Sequence, residues 1–138
     1  MVNAFLRKQF NKAYENDAMK SAVYGASPTG LVVMLYQGAL KALLQAGIAM
    51  EHKKYEEKAR YINKTNQILE GLRLALDLEA GSEAADNLNE LYVYMKYRIS
   101  IANMKNDQSI LAEVRDLLET ILPAWQQLDR KNHTTPAA

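Results

Sequence analysis

Proline occurs only at positions 28, 123 and 136, and between the first two apolar residues return every three or four positions almost throughout. That period places apolar side chains on one face of an α-helix, whereas a strand alternates with a period of two. The chain therefore reads as all-α. Ser27-Pro28 is a strong start signal, with Ser27 as N-cap and Pro28 in the first helical position. The first helix is expected over 28–50, with a turn around His52 to Lys54. A second runs to about Glu79 and stops at Gly81, where glycine can adopt the left-handed cap conformation. Ser82 caps a third helix, with Glu83 and Asp86 in its first turn, and that helix ends near Lys105. Asn106 or Asp107 opens the fourth, which carries Ile110, Val114, Leu117, Ile121, Trp125 and Leu128 at heptad-like spacing. Four helices of about twenty residues are each roughly 30 Å long. Short connections make neighbours antiparallel, so the expected fold is an up-down four-helix bundle over 28–130. Residues 1–27 form a separate N-terminal segment, with a short helix over 4–16 through Phe5, Leu6, Phe10, Ala13 and Tyr14. Residues 131–138 read as a disordered tail.

The 138 residues, 49% hydrophobic and 24% charged, match one domain with one core. A net charge of +1 with interleaved signs gives no reason to expect nucleic acid or an anionic membrane surface. The absence of cysteine excludes disulfides, thiolate metal sites and a cysteine nucleophile, and it fits a reducing cytoplasm. The opening MVNAFLRKQFNKAYEN has charges every few residues and no apolar signal-peptide core.

The stretch LVVMLYQGALKALLQAGIAM, 31–50, carries a single charge, Lys41. Its Leu, Ile and Val residues favour membrane insertion by about −4 kcal/mol, and a central lysine takes back about 2.5–3.5 kcal/mol before Gln37 and Gln45 are counted. Insertion is near break-even and is not expected. Gln37, Lys41 and Gln45 form one narrow polar line. Leu31, Leu35, Ala39, Ala42 and Ala46 make one apolar face, and Val33, Tyr36, Leu40 and Leu44 a second. A bundle helix normally needs one stripe a little wider than about 100°. The third helix has the same surplus: Leu88, Leu91, Tyr92, Met95, Ile99 and Ala102 face the core, with Tyr94, Tyr97, Ile101 and Met104 opposite. The fourth keeps a polar back through Glu113, Asp116, Glu119, Gln127 and Arg130. A second apolar stripe must be covered, either by the N-terminal segment, by another copy of the chain, or by a partner.

Catalytic and metal chemistry lack their residues. Neither His52 nor His133 has Glu three positions before it, as di-iron bundles require. Glycines 30, 38, 47 and 71 have no phosphate-loop spacing and suit close helix packing. Glu56-Glu57 reads as solvated helix face, and Asn66 beside Thr65 as a polar residue that fixes register or stays partly exposed. No enzyme activity and no cofactor are expected.

Tyr14, Ala26-Ser27-Pro28 and Met34-Leu35-Tyr36-Gln37-Gly38-Ala39 together resemble the N-terminal signature of the bacterial flagellin-specific export chaperone family. The resemblance continues through Leu78-Glu79-Ala80-Gly81, Asn87-Leu88, Leu91-Tyr92 and Tyr94-Met95. It closes with Ala102-Asn103, Asn106-Asp107, Glu113-Val114 and Ala124-Trp125. It implies a cytoplasmic chaperone that binds the disordered C-terminal segment of flagellin, one to one, in apolar grooves, and aids delivery to the flagellar export apparatus. The partner residues expected on that basis are Phe10 and Tyr14 in the N-terminal segment, and Ser27, Pro28, Leu31, Leu35 and Tyr36 at the start of the bundle. Tyr94, Tyr97, Ile101 and Met104 on the third helix and Trp125 on the fourth complete the set. Two features depart from the family pattern: Tyr24-Gly25 before Ala26, and Pro123, which is expected to kink the fourth helix. The competing reading is a structural homo-oligomer that buries the extra stripes without any flagellin role.

Overall fold

The computed structural model of the chain describes residues 27–76 and 81–134. They form four helices: α1 Pro28–Glu51, α2 Tyr55–Leu74, α3 Glu83–Lys105 and α4 Gln108–Thr134. The expected helix over 4–16 lies outside the described residues. Helix α1 packs on α2 and α4, and α3 closes the ring against the same two. Neighbours are antiparallel. Gln108, at the start of α4, donates to the Gly47 carbonyl near the end of α1, while Asp129 near the end of α4 meets Ser27 and Thr29 at the start of α1.

The caps explain most boundaries. Ser27 Oγ accepts from Gly30 N–H at 3.0 Å, and Pro28 fills the first helical position; such a cap stabilises by about 1 kcal/mol. Helix α1 ends at His52, and the chain turns through Lys53 in the left-handed region. Ser82 Oγ accepts from Ala85 N–H. Asn106, also left-handed, ends α3, and Asp107 starts α4 by accepting from Ser109 N–H at 2.9 Å. The two adjacent residues thus divide the roles of stop and start.

Two boundaries differ from expectation. Helix α2 stops at Leu74, not near Glu79. Its last turn is closed by Ala75 N–H on the Gly71 carbonyl and Leu76 N–H on the Arg73 carbonyl, the tighter second bond ending the regular ladder. Gly81 does have positive φ, +69°, but it serves the turn into Ser82 rather than the end of α2. Helix α4 runs through Pro123 to Thr134, so residues 131–134 extend the helix, with Asn132 hydrogen-bonded to Thr29 of α1, and the rest of the expected tail lies outside the described residues.

The core is filled by Leu31, Leu35, Leu43, Ile68, Leu69, Met95, Ile99 and Leu118, each at most 2% exposed. Each such side chain contributes about 1.5–3 kcal/mol by leaving water. Ala39, Ala42, Ala46 and Ala49 are also buried, and these small residues let both neighbours approach α1 closely. By length and composition α1 could cross a membrane, yet half of its most apolar window is buried inside the bundle. Lys41 lies in solvent as expected. Thr65 is fully buried with its hydroxyl on the Tyr61 carbonyl, while Asn66 Oδ1 is buried without a hydrogen-bond partner among the described residues.

Candidate partner-binding surface

Helix α3 divides cleanly. Tyr92, Met95, Ile99 and Ala102 are buried, while Val93, Tyr94, Tyr97 and Met104 are 50%, 45%, 60% and 78% exposed. Ile101 lies between the two sets, half-buried and packed against the edge of the core. The bundle core is complete without the outer four. Ion pairs flank this face. On the α4 side Arg98 meets Glu113 at 2.8 Å, and Tyr94 hydroxyl reaches the same carboxylate at 3.4 Å. On the α2 side Lys96 and Arg73 each meet Glu70 at 2.6 Å. The Arg73 hydrogen bond first, and then that of Lys96, hold the Glu70 carboxyl down to about 2. The result is an apolar strip with a charged border, the anatomy of a protein-binding patch.

The outer side of α1 is different. Tyr36 does not belong to an exposed stripe: it is 0% exposed, and its hydroxyl shares a 2.6 Å hydrogen bond with that of Tyr92 across the core. The Trp125 ring lies tilted against that of Tyr36, 6.4 Å between centroids. Burial raises the titration of both tyrosines above the ordinary phenol value. The wheel placed Tyr36 correctly by angle, but α4 covers that angle. Of the expected second face, Val33 and Leu40 are half-buried and only Leu44, 49% exposed, stands free, joined by Ile48 at 47%. These two border a shallow groove of about 490 Å³ against Leu111, Ala112 and Arg115 of α4.

The residues expected from the resemblance therefore separate. Tyr94, Tyr97 and Met104 share the open face of α3, with Ile101 at its edge. Leu31, Leu35 and Tyr36 are core residues and offer no surface in this form. Ser27 is half-buried, Pro28 exposed and Trp125 half-buried, all at the pole where α1 begins and α4 ends. Phe10 and Tyr14 lie outside the described residues. Val93 and Ile48 were missed, although Val93 is four residues from Tyr97 and Ile48 four from Leu44, spacings that put each on a neighbour's face. Among the described residues no group of three His, Cys, Asp or Glu side chains could hold a metal. His52 is an exposed residue at the end of α1.

The family profile described as Flagellar protein FliS matches residues 10–132. The flagellar secretion chaperone FliS of Salmonella typhimurium is 41% identical over 121 residues, covering 87% of this chain and 90% of the relative. FliSB of Pseudomonas aeruginosa is 43% identical over 83% of this chain and 90% of its own length. At greater distance, FliS of Bacillus subtilis is 33% identical over 78% of this chain and 80% of the relative.

Proposed function

This chain belongs to the FliS family of flagellar proteins, and we propose that it is a cytoplasmic export chaperone for flagellin. It holds the disordered C-terminal segment of flagellin one to one against the bundle, which prevents premature polymerisation and aids delivery to the flagellar export apparatus. It works by binding, not by catalysis. The supporting observation is the open apolar face of α3, where Tyr94, Tyr97 and Met104 stay exposed beside a complete core. Large exposed apolar side chains on one helix face are costly to leave uncovered and mark an interaction site. A segment that folds on binding typically buries about 1,000–3,000 Å² and loses several kcal/mol to ordering. Affinity then concentrates in a few anchors, most often aromatic ones.

Native mass spectrometry with and without a synthetic peptide of the flagellin C-terminal segment tests the reading. A 1:1 complex supports it. A dimer indifferent to the peptide supports instead a homo-oligomer that covers the α3 face with a second copy.

A further inference from the structure

The last third of α4 is held differently from the rest. Through its first turns α4 is anchored by Leu111, Val114 and Leu118, each 2% exposed or less. Beyond them burial falls away: Ile121, Leu122 and Trp125 are half-buried, and Leu128 is 41% exposed. The change falls where the helix ladder is weakened. Pro123 has no N–H, so the carbonyl four residues earlier loses its helical partner. One turn before it, Thr120 hydroxyl bonds the Asp116 carbonyl at 2.8 Å, a contact that competes with the same ladder and bends helices.

Past this point the helix is latched to α1 by polar contacts. Asp129 Oδ1 accepts from Ser27 Oγ at 2.7 Å and from Thr29 Oγ1 at 3.0 Å. Asn132 Nδ2 donates to Thr29 Oγ1 at 3.1 Å. Helix α1 has no acidic residue in its own first turn, so Asp129 brings the negative charge favoured at a helix N-terminus from the far end of the chain. The approach is close: a Cβ on Gly30 would stand 3.3 Å from Asp129 Oδ1. Under the latched segment lies Tyr36, its ring 6.4 Å from that of Trp125 and inaccessible while the segment is closed.

We propose that residues 124–134 form a hinged arm, latched on α1 by Asp129, which opens about Pro123 to uncover an apolar cleft beneath Trp125 and Tyr36 for part of the flagellin C-terminal segment. This rests on the chaperone reading above and adds a second, conditional docking place to the exposed face of α3. The polar latch suits the task, because it is specific in the closed state and is replaced by water when open. Removing it raises the fraction of binding-competent molecules, and apparent affinity rises in proportion.

Two variants test the arm. Asp129→Ala accelerates hydrogen exchange in 124–134 at least about tenfold, leaves α2 and the first half of α4 at wild-type protection, and tightens binding of the flagellin tail peptide several-fold. Trp125 is the only tryptophan, so its emission shifts to the red in the same variant. The pair Gly30→Cys with Asp129→Cys, in a chain with no other cysteine, sets two thiols where a Cβ at position 30 approaches the side chain at 129, for oxidation to a disulfide. Oxidised, it locks the arm and weakens peptide binding at least about tenfold relative to the reduced form. Unchanged exchange in Asp129→Ala, or acceleration spread evenly over all four helices, overturns the arm. So does equal peptide affinity of the oxidised and reduced pair. The exchange measurement needs no peptide, so a chain that binds no flagellin tail sinks the chaperone reading while the arm is still judged by its own result.

Discussion

Tyr36 on α1 and Tyr97 on α3 occupy equivalent places in the pattern, each in a second apolar stripe on a bundle helix. One is fully buried and the other 60% exposed. The cause lies in the helices that carry them. Helix α1 has Gly38, Ala39, Ala42, Ala46 and Ala49 among its eleven buried residues, small side chains that let α2 and α4 approach on two sides. Helix α3 buries four, Tyr92, Met95, Ile99 and Ala102, and its bulky outer residues Val93, Tyr94, Tyr97 and Met104 stay exposed. Surplus apolar surface is thus either a second packing face or a binding face, and the size of the residues between the stripes distinguishes the two.

Several substitutions probe that difference. Ile99→Asp, on the inner side of α3, places an unpaired charge in the core and costs more than about 4 kcal/mol, enough to unfold the domain in a denaturant titration. Tyr36→Phe removes one partner of a buried hydroxyl pair and costs about 1–3 kcal/mol by leaving Tyr92 with a missing bond, whereas Tyr97→Phe leaves the melting temperature unchanged. If both phenylalanine variants melt like wild type, the two tyrosines do not differ as described. The smallest effect belongs to the border of the open face. Glu70→Gln lowers stability by about 0.2–1 kcal/mol at neutral pH, as for partly exposed pairs. The sign with pH follows from the depressed carboxyl. Folded Glu70 titrates near 2 and the unfolded chain near the ordinary carboxylate value, about 4.3. The contribution is therefore complete above that value and is lost as pH falls toward 2. Melting curves of wild type and Glu70→Gln converge across that interval; a gap that persists at pH 2 contradicts the ion-pair assignment.

Boundaries set by local chemistry were legible. Ser27-Pro28, the turn at His52 to Lys54, Ser82 and the Asn106-Asp107 pair act within a few residues of themselves, and the chain breaks at each of them. What depended on distant residues was not. Residues 131–134 read as tail because the α1 partner of Asn132, Thr29, stands about a hundred positions away. Lys58 is nearly buried, an unusual place for lysine, because its ammonium reaches the Asn103 carbonyl and Asn106 at the end of α3. No periodicity announces that pairing. Tyr36 falls in the same group, since a helical wheel fixes its direction but not the helix that lies there. For the candidate surface, the tyrosine face of α3 was readable from spacing alone, while the intermediate position of Ile101 was not. Ile101 packs on the core edge, so its replacement mixes binding with stability, and Tyr97 is the cleaner probe.

Calorimetric titration of the flagellin C-terminal peptide into Tyr97→Ser, beside a melting curve of the same variant, tests the central claim most directly. Loss of an aromatic anchor weakens binding by at least about 1–2 kcal/mol, while the melting temperature stays at the wild-type value because Tyr97 supports no core contact. Wild-type affinity in Tyr97→Ser, or a fall in melting temperature like that of a core variant, contradicts the assignment of the outer face of α3 to flagellin.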